Sequence, residues 1–169
     1  MFSGKKENLT LQQAKKKLMD LVARRDHSVK ELRQKLSLRC DPETVEKTLQ
    51  WAQEQHWLAP PERLQSQVSQ QLARRGQGIR RINQKLKSLG LDSTVGNSDE
   101  ELNRAQQLVR AKWSYENFKH LDFKEAQKLR AKIMRFLATR GYESSTISLI
   151  LKNEFKQSAT SEEEIYDDQ

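Results

Sequence analysis

The chain has 169 residues, 35% of them hydrophobic and 32% charged, with a formal net charge of +8 and a mean hydropathy of −0.92. An apolar share below the usual value of about 45–50% argues against a thick core and suits thin helical layers. No run of about 18 apolar residues exists to span a membrane, no h-region marks a secretory signal near the start, and a single cysteine, Cys40, excludes an intramolecular disulfide framework.

One apolar pattern recurs three times, centred on Arg25, Arg75 and Arg140. Ala14, Leu64 and Leu129 stand eleven residues before the arginine, Leu18, Val68 and Ile133 seven before, and Val22, Leu72 and Leu137 three before. Leu32, Ile82 and Ile147 follow at seven, and Leu36, Leu86 and Leu151 at eleven. Steps of four keep these side chains on one helical face, and the change of phase after each arginine predicts helix, tight turn, helix. No segment shows sustained period-two alternation, so an all-α protein is expected, and repetition of this kind predicts an elongated array of three tandem helical repeats.

In chain order, residues 1–9 are expected to be disordered, and 10–58 to form the first repeat. Its first turn is Asp26-His27-Ser28, with Asp26 in the slot of a left-handed residue, at some cost in strain. His27 is read as solvated or capping. Ser28 and Glu31 form a capping box for the second helix, and Asp41-Pro42 starts a third helix with the inward stripe Val45, Leu49 and Ala52. The second repeat, 59–97, enters at Pro60-Pro61 and turns at Gly76-Gln77-Gly78. Its third helix looks reduced or displaced, because 90–97 reads as a loop. Ser98 and Glu101 read as another capping box, opening a connecting helix and linker over 98–121. The third repeat, 122–156, turns at Gly141, and Gly76 and Gly141 sit where a left-handed residue ends a helix. The tail, 157–169, is expected to be disordered. It holds five acidic residues and no base, which leaves the 31 basic and 18 acidic residues of 1–156 at a balance of +13. A body that basic attracts polyanions, either nucleic acid or an acidic protein surface.

No catalytic constellation is visible. His27, His56 and His120 have no partner at metal-ligand spacing, Gly76-Gln77-Gly78 is too short to cradle a triphosphate, and Glu100-Glu101 diverge on a solvated helix face. Neither an enzyme nor a cofactor is expected. The bases are more informative. Arg24, Arg25, Arg74, Arg75 and Arg140 sit at first-helix ends, where a cation can bond orphan carbonyls and meet the negative end of the dipole. Arg80, Arg81, Lys85 and Lys87 extend the middle cluster to six bases in fourteen residues with no acid between them. That density favours phosphate contact. Lys15, Lys16, Lys17, Lys128, Arg130 and Lys132 are read as solvated faces. Trp51, Trp57, Trp113, Phe136 and Phe155 belong to apolar stripes. Tyr142, in a turn, either stacks on a base or lies over the helix junction.

Ala23-Arg-Arg-Asp-His-Ser-Val-Lys-Glu-Leu-Arg-Gln-Lys-Leu36 resembles the opening of the RecX family. Arg74-Arg-Gly-Gln-Gly-Ile-Arg-Arg-Ile-Asn-Gln-Lys-Leu86 and Lys132-Ile-Met-Arg-Phe-Leu-Ala-Thr-Arg-Gly-Tyr142 resemble its second and third repeats, so the likeness covers roughly residues 10–156. It implies tandem three-helix modules and a cytoplasmic, non-enzymatic bacterial regulator. Such a protein binds the RecA–single-stranded DNA filament and modulates it, most often by inhibition. The expected partners are that filament and, weakly and salt-sensitively, single-stranded DNA, with the free protein monomeric. On the residues alone, a stand-alone helix-turn-helix DNA-binding module is the alternative.

Overall fold

The computed structural model describes residues 8–113 and 121–160, with side chains through Phe155. Eight α-helices carry these residues, and no strand occurs among them. They are α1 (Leu11–Val22), α2 (Val29–Ser37), α3 (Pro42–Glu54), α4 (Pro61–Arg74), α5 (Ile79–Leu89), α6 (Ser98–Lys112), α7 (Phe123–Thr139) and α8 (Ser144–Thr160). The chain divides into two compact units. One takes the residues up to Val68 with Lys85–Ser93, the other Ser69–Gln84 and the residues from Thr94 onward.

In the first unit α1, α2 and α3 form one three-helix core of Ala14, Leu18, Leu32, Leu36, Val45, Leu49 and Ala52, with Cys40 buried beside them. Capping sets the helix starts. Thr10 with Gln13 and Ser28 with Glu31 close capping boxes, and Asp41 accepts the Thr44 N–H ahead of Pro42. Trp57 meets Trp51 edge-on at 5.0 Å, sealing the end of α3.

The first turn departs from the expectation. His56 is the one non-glycine with positive φ among the described residues, so Asp26 is not left-handed. The reason is that α1 stops at Val22, three residues before Arg25, and Ala23 caps it in right-handed geometry. Asp26 instead pairs with Arg63 at 3.3 Å. His27 is buried rather than solvated, and its Nδ1–H donates to the Arg25 carbonyl at 2.9 Å.

In the second unit α6, α7 and α8 share a core of Ala105, Val109, Ile133, Leu137, Tyr142, Ile147 and Ile150. The helix over 98–112 therefore packs as a full member of this core instead of serving as a connection. Glu154, 3% exposed, receives Arg110 Nε at 3.1 Å and Gln106 Nε2 at 2.9 Å, which ties α6 to α8 through a buried carboxylate. Asn97, not Ser98, caps α6, accepting the Asp99 and Glu100 N–H groups. α8 continues to Thr160, beyond the start expected for the tail. His120, Tyr115, Phe118 and residues 1–7 and 161–169 lie outside the described residues.

Candidate nucleic-acid interface

The second unit is organised around two helix ends. α4 and α7 both close with the same turn: Gln77 N–H donates to Leu72 O at 3.0 Å, and Tyr142 N–H to Leu137 O at 3.2 Å. Gly76 and Gly141 occupy the left-handed position with φ of 73° and 85°, which only glycine adopts without strain. The two turns then bond each other. Gly78 N–H donates to Arg140 O at 2.9 Å, and Arg80 N–H to Gly141 O at 3.0 Å. A Cβ on Gly78 would lie 2.5 Å from backbone atoms of Gly141 and Tyr142, and one on Gly141 would lie 2.5 Å from Arg81 N and Cβ. The close approach exists because neither residue carries a side chain.

This pairing uses up the amino end of α5. Ile79 N–H donates to Glu101 Oε1 at 3.0 Å, and Arg80 N–H is held by Gly141. Those are the orphan donors that would otherwise favour an anion at a helix N-terminus. An anion arriving here is met by side chains. Glu101 is 4% exposed, which corrects its reading as part of a solvated face. Glu101→Ala leaves the Ile79 N–H without its acceptor, so about 1–3 kcal/mol of stability should be lost. Urea denaturation followed by far-UV circular dichroism measures this, and an unchanged midpoint would show that the carboxylate does not act as the cap.

Two of the expected contact residues serve the framework. Arg140 donates through Nη1 to the carbonyls of Arg75 (3.3 Å) and Gly76 (3.5 Å), and its guanidinium lies 4.7 Å from the Phe136 ring. It therefore caps α4, a helix other than its own. Tyr142 is 1% exposed and donates through its hydroxyl to Gly76 O at 3.4 Å. Burial pushes that hydroxyl's pKa up, against a lowering hydrogen bond from Arg104, so it remains a donor. A ring so enclosed has no open face for a base, and the stacking role is corrected to that of a wedge over the helix junction.

The remaining cations are exposed. Arg74 and Arg75 close α4, while Arg80 and Arg81 open α5. Arg80, Arg81 and Gln84 line a recess of about 380 Å³ with Ala138, Thr139 and Gly141. In the first unit Lys85 and Lys87 are exposed on α5, and Arg24 and Arg25 follow α1. Arg25 is committed locally, to Glu31 at 2.9 Å and the Asp26 carbonyl at 2.9 Å. Burial raises the Glu31 carboxyl, but the bonds from Arg25 and the Ser28 N–H outweigh it and hold the group below the usual carboxylate range. Among the described residues no group of three His, Cys, Asp or Glu is placed to hold a metal ion, and no helix is long and apolar enough to cross a membrane.

Among the described residues, then, the chain is a set of helical modules, two of them three-helix cores, with arginines around one pair of joined helix ends. Residues 14–51 match the model of the first three-helix domain of RecX, and residues 99–151 that of the third, so α6, α7 and α8 together match that third domain. Similar curated proteins include the regulatory protein RecX of Cronobacter sakazakii, 31% identical over 80% of this chain and 88% of that one. The regulatory protein RecX of Ralstonia nicotianae is also 31% identical, over 82% of this chain and 86% of that one. The crystal structure of RecX from Lactobacillus salivarius superposes with a TM-score of 0.65 at 15% identity, covering 87% of this chain and 97% of that one, and so shares the fold. The chain belongs to the RecX family, a family of regulatory proteins and not of enzymes.

Proposed function

We propose that this chain binds the RecA–single-stranded DNA filament in the cytoplasm, as a monomer, and lowers its ATPase and recombinase activity. The observation that carries the reading is the set of exposed arginines, Arg74, Arg75, Arg80 and Arg81, displayed around two turns locked together backbone to backbone. A rigid frame lowers the entropic cost of presenting long basic side chains, and their charge complements phosphate and acidic protein surface. Inhibition follows if a bound chain bridges neighbouring protomers and hinders ATP turnover or strand exchange. A role in recombinational DNA repair and its SOS-linked control belongs to the same reading.

The helix-turn-helix alternative needs the amino end of α5 to approach base edges. The Ile79 and Arg80 N–H groups are engaged by Glu101 and Gly141, so these amides are not free to hold a phosphate as a helix N-terminus otherwise could. Co-sedimentation with RecA, with and without single-stranded DNA, tests the filament reading. Binding should require the assembled filament and fall steeply with salt. Binding to one duplex sequence with no affinity for filament would reverse the choice.

A further inference from the structure

The outer face of α7 carries a second basic row that its sequence alone presents as merely solvated. The helix turns Leu129, Ile133 and Leu137 inward. At about 100° per residue, Lys124, Lys128, Lys132, Arg135 and Thr139 then fall within an arc of about 80° on the far side. All five are exposed. The row is about 22 Å long, at a rise of about 1.5 Å per residue. No acidic residue occurs between Glu125 and Glu143.

Other bases of the helix are employed elsewhere. The Arg130 guanidinium lies 4.5 Å from the Phe155 ring, and Arg140 caps α4. Arg135 engages its Nε with the Ala131 carbonyl at 3.3 Å, a bond that does not involve its terminal nitrogens. The row ends at Thr139, which lines the recess shared by Arg80 and Arg81. The cations of α7 thus lead directly to the arginines of α5.

We propose that a phosphodiester backbone lies along this face, contacting Lys124, Lys128, Lys132 and Arg135 before entering the Arg80–Arg81 recess. The chemistry selects phosphate over a protein partner. Cations recur about once per turn in one line, and the arc holds no apolar side chain, whereas a protein interface centres on an apolar or aromatic core. It also holds no aromatic ring on which a base could stack, so contact is to the backbone and indifferent to sequence. This deepens the filament-binding reading and rests on it for the choice of nucleic acid.

The test is a full-length variant combining Lys128→Gln, Lys132→Gln and Arg135→Gln, with its helicity checked by circular dichroism. Fluorescence anisotropy with an oligo-dT strand is followed across a salt series. Three lost contacts should flatten the slope of log affinity against log salt by about 2, and weaken binding by roughly a hundredfold near 0.1 M salt. The pair Lys128→Arg and Lys132→Arg should retain both slope and affinity. A matching loss on duplex DNA supports the backbone assignment and extends it to double strands. A folded glutamine variant with unchanged slope overturns the proposal, as does poly-glutamate displacing the strand as well as an equal charge of competing DNA does. Because the readout uses free DNA, a wild-type protein that fails to bind RecA filament would reject the filament reading while leaving this measurement to be judged separately.

Discussion

Gly141→Ala is expected to destabilise the second unit by about 3 kcal/mol, which for a chain of this size lowers the melting temperature by roughly 6–12 °C. Two effects add. The residue sits at φ 85°, and its new Cβ would meet Arg81 N and Cβ at 2.5 Å. Backbone cannot rotate aside, so the two turns must separate and the bonds from Gly78 to Arg140 and from Arg80 to Gly141 must lengthen or break. Gly76→Ala is the matched control. It has similar left-handed geometry, but its Cβ would meet the far end of the Leu108 side chain at 2.9 Å, and that side chain can give. It should cost less than Gly141→Ala. Equal losses in thermal denaturation would mean that the conformational penalty alone operates and that the close turn-to-turn packing contributes nothing.

Removing the exposed arginines of the same unit should have the opposite profile: little change in stability and a large change in binding. The variant combines Arg74→Ala, Arg75→Ala, Arg80→Ala and Arg81→Ala. All four side chains are exposed, and alanine is the best helix former, so far-UV helicity should be retained. The bonds that join the two turns use main chain at these positions: the Arg75 carbonyl accepts from Arg140, and the Arg80 N–H donates to Gly141, while the side-chain bond from Arg81 Nη1 to Gln84 Oε1, at 3.4 Å, is exposed. Four lost phosphate contacts on a single strand should reduce the salt slope by about 3, and affinity near 0.1 M salt by about two to three orders of magnitude. Anisotropy on free strand and co-sedimentation on filament measure this together. A folded variant that binds as tightly as the parent, with the same slope, would place the functional charge elsewhere in the chain.

The helical register was legible in the sequence because burial leaves a periodic trace. Leu18, Leu32, Leu36, Ile133 and Leu137 are buried, and each lies at an offset the repeat had assigned inward. Gly76 and Gly141 were legible for a related reason, since a glycine directly after an apolar stripe signals a left-handed stop. The misses share a cause as well. Glu101, Arg140 and Tyr142 act on main-chain groups of a different helix, and no local pattern encodes a partner 22 to 66 residues away. At Asp26 the repeat misleads, because the three copies do not end their first helices at the same offset. α1 stops earlier, and the left-handed residue is not needed.

The candidate site was legible as a local density of charge and illegible as a geometry. Six bases between Arg74 and Lys87 stood out in the sequence, but exposure divides the wider set by role. Arg25 and Arg140 spend their guanidinium groups on carbonyls and on Glu31, while Arg74, Arg75, Arg80 and Arg81 stand on the surface. Bases spaced by three and four, like those on α7, look like any solvated helix face until the inward stripe is located. A basic residue that ends a helix is thus weak evidence of a binding role.

Regulation is read in the single-stranded DNA-dependent ATPase rate of RecA, measured while co-sedimentation demonstrates that this protein saturates the filament. Regulation by inhibition requires the rate to fall with occupancy, and raised salt or the four arginine-to-alanine substitutions should relieve the fall. An unchanged ATPase rate and unchanged strand exchange on a saturated filament would contradict it.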